Sequence, residues 1–128
     1  MKKIFCLLSL VGSLSTSAFA LDCDNIYGIW QGNLGNLNSV RLYIHTFDGM
    51  ESANIQFNSE GENIEYGMFV GACQKNADGS VTMNLTRNSY GVEGNINVQL
   101  TNANTLNVSS FTYRDYLEHG SGSGILSK

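Results

Sequence analysis

The chain has 128 residues, with seven Lys or Arg against eleven Asp or Glu, two His and no Pro. That length suits one domain and excludes a cofactor domain joined to a separate substrate domain. A formal charge of −4, with its few cations scattered, leaves no electrostatic footprint for nucleic acid or an anionic membrane surface.

Residues 1–20 read as an export signal. Lys2 and Lys3 form a positive start, Ile4 to Leu14 an apolar run, and Ala18-Phe19-Ala20 a small-residue cleavage site. The run is shorter than the roughly 20 residues that span a bilayer. Asp22 precedes Cys23, where a lipid-anchored cysteine needs a small residue, so no membrane anchor is expected. The short signal is bacterial in type and directs the chain to the periplasm or the medium. Residues 21–128 then form the mature domain, with five basic and eleven acidic residues and a charge of −6. Two cysteines remain, Cys23 and Cys73. An even pair in an oxidising compartment reads as a disulfide. It closes a loop of about 50 residues, worth on the order of 4 kcal/mol in the chain-entropy model.

Two-residue alternation runs from end to end, and helix signals are nearly absent. Ile26, Gly28, Trp30, Gly32 and Leu34 share one face of the first segment. Val40, Leu42 and Ile44 share the next, with Arg41, Tyr43 and His45 opposite. Ala53, Ile55 and Phe57 follow, then Ile64, Tyr66, Met68, Val70 and Ala72. Val81, Met83 and Leu85 alternate with polar residues, as does a segment from Tyr90 to Leu100. Thr105 to Tyr113 and Leu117 to Ser127, the latter with Gly120-Ser121-Gly122-Ser123-Gly124, complete the set. Turns are expected at Gly35-Asn36, Asp48-Gly49, Glu60-Gly61, Asp78-Gly79, Asn88-Ser89 and Asn102-Ala103-Asn104. The pattern predicts an all-β domain: about eight antiparallel strands in an up-and-down barrel, with a two-sheet sandwich as the alternative. Trp30, Phe57, Tyr66, Met68, Met83 and Ile96 are expected inside it and largely fill it, while Gly28, Gly32 and Gly94 leave room near one end.

Gly28-Ile29-Trp30 opens the first strand. It resembles the GxW signature of the calycin barrels, the lipocalins, fatty-acid-binding proteins and avidins. The resemblance implies that Trp30 plugs one end of the barrel and that Gly28 gives it room. Lipocalins place an arginine late in the barrel over that tryptophan; the last cation here is Lys128, with Arg114 further back. No C-terminal helix is predicted, and a single Trp does not suit biotin binding. The size and glycine-rich last strand also resemble small exported inhibitor barrels that block secreted proteases.

Catalytic chemistry is sparsely represented. Paired cysteines leave no nucleophilic thiol, and the glycine-serine tract lacks the strand-turn-helix setting of a nucleophile elbow. His45 lies near Asp48 and Glu51, and His119 follows Glu118; both read as surface histidines unless the two ends meet. Glu60, Glu62 and Glu65 lack the spacing of a calcium loop. No catalytic residue, cofactor or metal is therefore assigned. Tyr27, Tyr43 and Phe69 fall on the polar phase of their strands, and Tyr113 and Tyr116 flank Arg114-Asp115. Tyr43, His45, Tyr113, Arg114 and Tyr116, with loops 35–39, 48–51, 59–63 and 113–119, are the expected contact residues and regions for a ligand or partner. The expected function is that of an exported non-enzymatic binding protein, taking a small ligand or an exported protein partner; the alternative is an inhibitor of a secreted hydrolase.

Overall fold

The alternating pattern closes on itself. The computed structural model describes residues 21–128, so the export signal expected at residues 1–20 lies outside the described residues. A 3₁₀ turn, Cys23–Ile26, precedes eight strands: β1 (Gly28–Leu34), β2 (Leu37–Phe47), β3 (Met50–Ser59), β4 (Glu62–Lys75), β5 (Val81–Ser89), β6 (Val92–Asn102), β7 (Thr105–Arg114) and β8 (His119–Ser127). Each pairs antiparallel with its sequence neighbour, and β1 meets β8 at Gln31–Ser127 and Gly32–Leu126, completing an up-and-down barrel. This is the architecture the alternation predicts, and it is compatible with a calycin-like barrel. Asp48-Gly49 and Glu60-Gly61 make two-residue hairpin turns with both residues at positive φ, the geometry that matches the twist of the flanking strands.

Two ends result. One, here the closed end, carries the 3₁₀ turn and the β2–β3, β4–β5 and β6–β7 connections. The far end carries the β1–β2, β3–β4, β5–β6 and β7–β8 turns. Cys23 is bonded to Cys73, near the end of β4, with a Cα separation of 6.0 Å, so the N-terminal turn is clipped across the closed end. The disulfide points to an oxidising, extracytoplasmic compartment.

The interior is filled with side chains. Trp30, Phe57, Phe69 and Phe111 are fully buried, and every strand adds buried Leu, Ile or Val, β8 through Leu126 alone. Large rings fit because the facing positions carry none. A Cβ on Gly94 would lie 2.8 Å from the Phe69 ring, and one on Gly120 would lie 2.6 Å from Tyr113 Oη.

The alternation breaks at several points, and three of them alter what the sequence predicts. In β4, Gly67 and Met68 together face the single residue Asn54 of β3, a β-bulge with Met68 at φ 62°. The extra residue reverses the phase beyond it. Met68, expected inside, is 54 % exposed, and Phe69, expected outside, is fully buried. Beyond the bulge, Val70 is half-buried and Ala72 exposed. The β5–β6 turn sits at Tyr90-Gly91 and not at Asn88-Ser89, both of which are in strand. Gly91 at φ 74° supplies the conformation, and Tyr90 follows it into the left-handed region at φ 52°. Ile26 belongs to the 3₁₀ turn, not to the first strand.

The inverted phase is directly measurable by urea denaturation. Phe69→Ala is expected to cost about 3–5 kcal/mol, and Met68→Ala less than about 0.5 kcal/mol; strict alternation predicts the opposite order. Gly94→Ala, which adds a methyl against Phe69, is expected to cost about 1–3 kcal/mol through overpacking.

Candidate functional site

The closed end is sealed by packing and hydrogen bonds. Trp30 is fully buried, and its indole N–H donates to the Ile26 carbonyl at 2.9 Å. Lys128 Nζ lies 4.9 Å from the centre of that indole and donates to the Asn25 carbonyl at 3.1 Å. Gly28, at φ 131°, leaves the space this stem uses: a Cβ there would stand 2.9 Å from Lys128 Cε. Nearby, Tyr27 is half-buried and donates to Glu51 Oε1 at 2.7 Å. That bond, with burial, pushes the Tyr27 phenol up to about 12.

Aromatic rings also fill the far end. Phe57, Tyr66, Phe111 and Tyr113 pack with centroid separations from 5.1 Å (Phe57–Tyr113) to 6.3 Å (Phe57–Tyr66). Tyr113, grouped with the exposed tyrosines by its sequence neighbours, is 5 % exposed and part of this cluster. Tyr66 donates from its hydroxyl to Asp115 Oδ2 at 2.6 Å. The other oxygen of Asp115 accepts the backbone N–H groups of Leu117 and Glu118, each at 2.8 Å, and the Asp115 N–H donates to the Glu118 carbonyl at 2.8 Å. The Tyr66 hydrogen bond and these backbone donors hold the Asp115 carboxyl below the usual aspartate range. Burial against this carboxyl, and its charge, raise the Tyr66 phenol.

One consequence is a pinned turn. Tyr116 and Leu117 stand 91 % and 92 % exposed at its tip, although three hydrogen bonds converge on the Asp115 carboxylate beneath them. Tyr116 rests on the Gly91 backbone, where a Cβ would come within 3.2 Å of its ring, and Tyr90 beside it is also exposed. Glu60, Glu62 and Glu118 share this end with Asp115. Desolvation and the neighbouring carboxylates Glu62, Asp115 and Glu60 raise the Glu118 carboxyl.

The outer wall holds two large grooves. The more apolar, of about 580 Å³, crosses β2 to β5 and is lined by His45, Phe47, Met50, Met68 and Arg87 among others. His45 stacks on exposed Tyr43 at 4.6 Å between centroids. The second, of about 500 Å³, crosses β5 to β8 and includes Arg114, His119, Asn95 and Glu93. The two histidines therefore line different grooves, and no acid–base pair between them is assembled. Among the described residues, no group of three or more His, Cys, Asp or Glu side chains is placed to hold a metal ion. Large exposed apolar side chains on the wall are concentrated on β1 to β4, at Ile29, Tyr43, Phe47, Met50 and Met68, with Ile125 on the adjoining β8. Strands β5 to β7 carry none among the described residues; they present Thr, Asn and Gln.

Phe47, Met68 and Arg87 were not singled out as contacts from the sequence, whereas Met50 falls in the expected contact loop 48–51. Arg87 carried a signal: it continues the inward phase of Val81, Met83 and Leu85, where a guanidinium does not belong unless the wall departs from regular pairing. Phe47 continues the outward phase of Tyr43 and His45. Met68 carried none, because the bulge that turns it outward has no marker other than Gly67.

No known family matches the chain, and neither a curated protein nor a solved structure is significantly similar to it.

The Asp115 anchor predicts an acid-sensitive difference. A carboxyl depressed in the folded state adds stability above the unfolded aspartate range near about pH 4, and loses it as pH falls through the folded value. The urea midpoint of the unaltered chain is expected to exceed that of Asp115→Asn at pH 7, with the gap shrinking below about pH 4. A gap independent of pH would show that the carboxylate charge is not the anchor.

Proposed function

We propose that this chain is an exported, non-enzymatic binding protein, a calycin-like barrel that engages another exported protein with its outer surface and not a small molecule in its interior. The export signal at residues 1–20 and the Cys23–Cys73 bond support periplasmic or secreted localisation. Trp30 at the closed end, with Gly28 making room for Lys128 over the indole, supports the calycin likeness.

The observation that carries the partner reading is the pinned Tyr116-Leu117 turn. Two large side chains left more than nine-tenths in water stand on a turn whose backbone is already held, so binding has only their rotamers left to order and less of the gain from burying them is lost. The filled interior argues against an internal ligand. The same turn favours the second reading, an inhibitor of a secreted hydrolase, because a rigid convex turn with exposed apolar side chains has the shape that enters an enzyme cleft.

Capture from periplasm or culture medium tests the proposal. The disulfide-bonded barrel is expected to retain an exported protein, and a Tyr116→Ser, Leu117→Ser double variant to retain at least about tenfold less, equivalent to about 1.4 kcal/mol. Native mass spectrometry of the purified chain should show the bare mass. Failure to retain any exported protein, or quenching of Trp30 fluorescence by an apolar small ligand, overturns it. Loss of a secreted hydrolase activity on addition of the barrel selects the inhibitor reading.

A further inference from the structure

The barrel wall is split along part of its length. The ladder between β4 and β5 runs only from Val70–Thr86 to Lys75–Val81. Towards the far end, residues 62–69 of β4 pair with β3 alone, and residues 87–89 of β5 pair with β6 alone. Strand edges of this kind carry backbone N–H and C=O groups without ladder partners. Arg87 partly covers the opening: its Nη1 donates to the Gly67 carbonyl at 2.8 Å, a bond that a continued ladder would have supplied from backbone.

The larger outer groove lies over this split, since Met68 and Val70 of β4 and Thr86, Arg87 and Asn88 of β5 all line it. Its floor contains two unsatisfied polar atoms, Arg87 Nε and His45 Nε2, both buried. Arg87 Nε can only donate. His45 Nδ1 lies 3.2 Å from the Thr46 carbonyl, which only accepts, so in the neutral ring Nδ1 holds the proton and Nε2 accepts. A buried group left unpaired is costly, and here one donor and one acceptor lie unpaired just beneath a groove whose surface combines Phe47, Met50 and Met68 with the polar side chains of Ser52, Asn54 and Thr86. Met68 is turned into it by the bulge and is held in the left-handed region, a conformation that costs a non-glycine residue on the order of 1 kcal/mol. Asp48 is the one acidic residue in the lining. Its charge offsets that of Arg87, the one basic residue there, so the lining carries no net charge to draw an ionic occupant.

We propose that this groove receives an extended segment of a partner polypeptide, whose backbone amides match the open groups of Arg87, His45 and the split strand edges, with an apolar side chain on Phe47, Met50 and Met68. A peptide amide offers both the acceptor that Arg87 Nε lacks and the donor that His45 Nε2 lacks, in a neutral group. Strand edges with alternating pockets are a known mode of peptide capture. The proposal rests on the protein-partner reading and gives that partner a chemistry: an extended, uncharged stretch with at least one large apolar side chain.

The test uses the full disulfide-bonded chain, isotope-labelled, and the capped peptide acetyl-TVFVT-amide as probe. Titration should shift the Arg87 Nε–H resonance, the Met50 and Met68 methyls and the amides of residues 62–69 and 87–89. N-methylation of the peptide should weaken binding about tenfold. Met68→Asn, which tolerates the left-handed backbone and so keeps the fold, should weaken it comparably. Equal binding of the N-methylated peptide, equal shifts from toluene, or peptide shifts confined to the Tyr116 turn would each overturn the proposal, as would no shift at all. The two readings fail separately. Partner capture that depends on Tyr116 and Leu117, with no peptide shift, removes the groove and leaves the partner. Peptide shifts with no captured protein do the reverse.

Discussion

Side-chain volume inside a closed wall is the constraint on which this molecule depends. The rings of Trp30, Phe57, Tyr66, Phe69, Phe111 and Tyr113 occupy an eight-stranded barrel, whose bore is just wide enough for side chains to fill. They are accommodated because β8 offers Gly120, Gly122 and Gly124 at successive inward positions, and β6 offers Gly94 opposite Phe69. At Gly122, any Cβ would collide with the Leu34 carbonyl of β1. The glycines therefore serve two ends at once, making room for rings and letting the last strand approach the first closely enough to pair. A tightly packed interior leaves the outside of the wall and its turns as the surfaces with accessible groups.

The outside is chemically uneven. The wall of β1 to β4, with Ile125 of the adjoining β8, carries the large exposed apolar groups, and the wall of β5 to β7 carries amides and hydroxyls. The far end adds a turn whose backbone is held by Asp115 while Tyr116 and Leu117 point into water. Asp115 acts through several bonds at once. It receives the Tyr66 hydroxyl from the core and two backbone N–H groups from the turn, so the exposed tip is connected to the packed interior through one carboxylate.

Much of this was legible in the residues themselves. Alternation gave the strands, Asp48-Gly49 and Glu60-Gly61 marked their hairpins, and two cysteines in a chain with an apparent export signal marked their bond. What escaped was whatever breaks a period of two. Met68 reads as core by its spacing from Ile64 and Tyr66, and only the bulge opposite Asn54 turns it outward. Tyr90 reads as the start of a strand, because tyrosine is a strand former and a poor turn former; Gly91 alone imposed the turn. Tyr113 reads as exposed by its company, Arg114 and Asp115, but the parity of β7 places it with Phe111. On the wall, the outward phase of β2 marked Tyr43 and His45, but the groove at Arg87 was not legible, because it arises from a missing stretch of pairing between β4 and β5, which no local pattern records.

Closure by the final strand has a consequence for biogenesis. Until β8 arrives, β1 and β7 each present a bare flank, and the aromatic filling lies beneath an incomplete cover. A partly made or partly threaded chain is thus at its most adhesive just before completion, and its glycine-rich closing piece is also its least self-structured segment. Cellular yield should accordingly be governed by how promptly that piece docks, with escorts of nascent chains setting the limit before the mature fold's own robustness does.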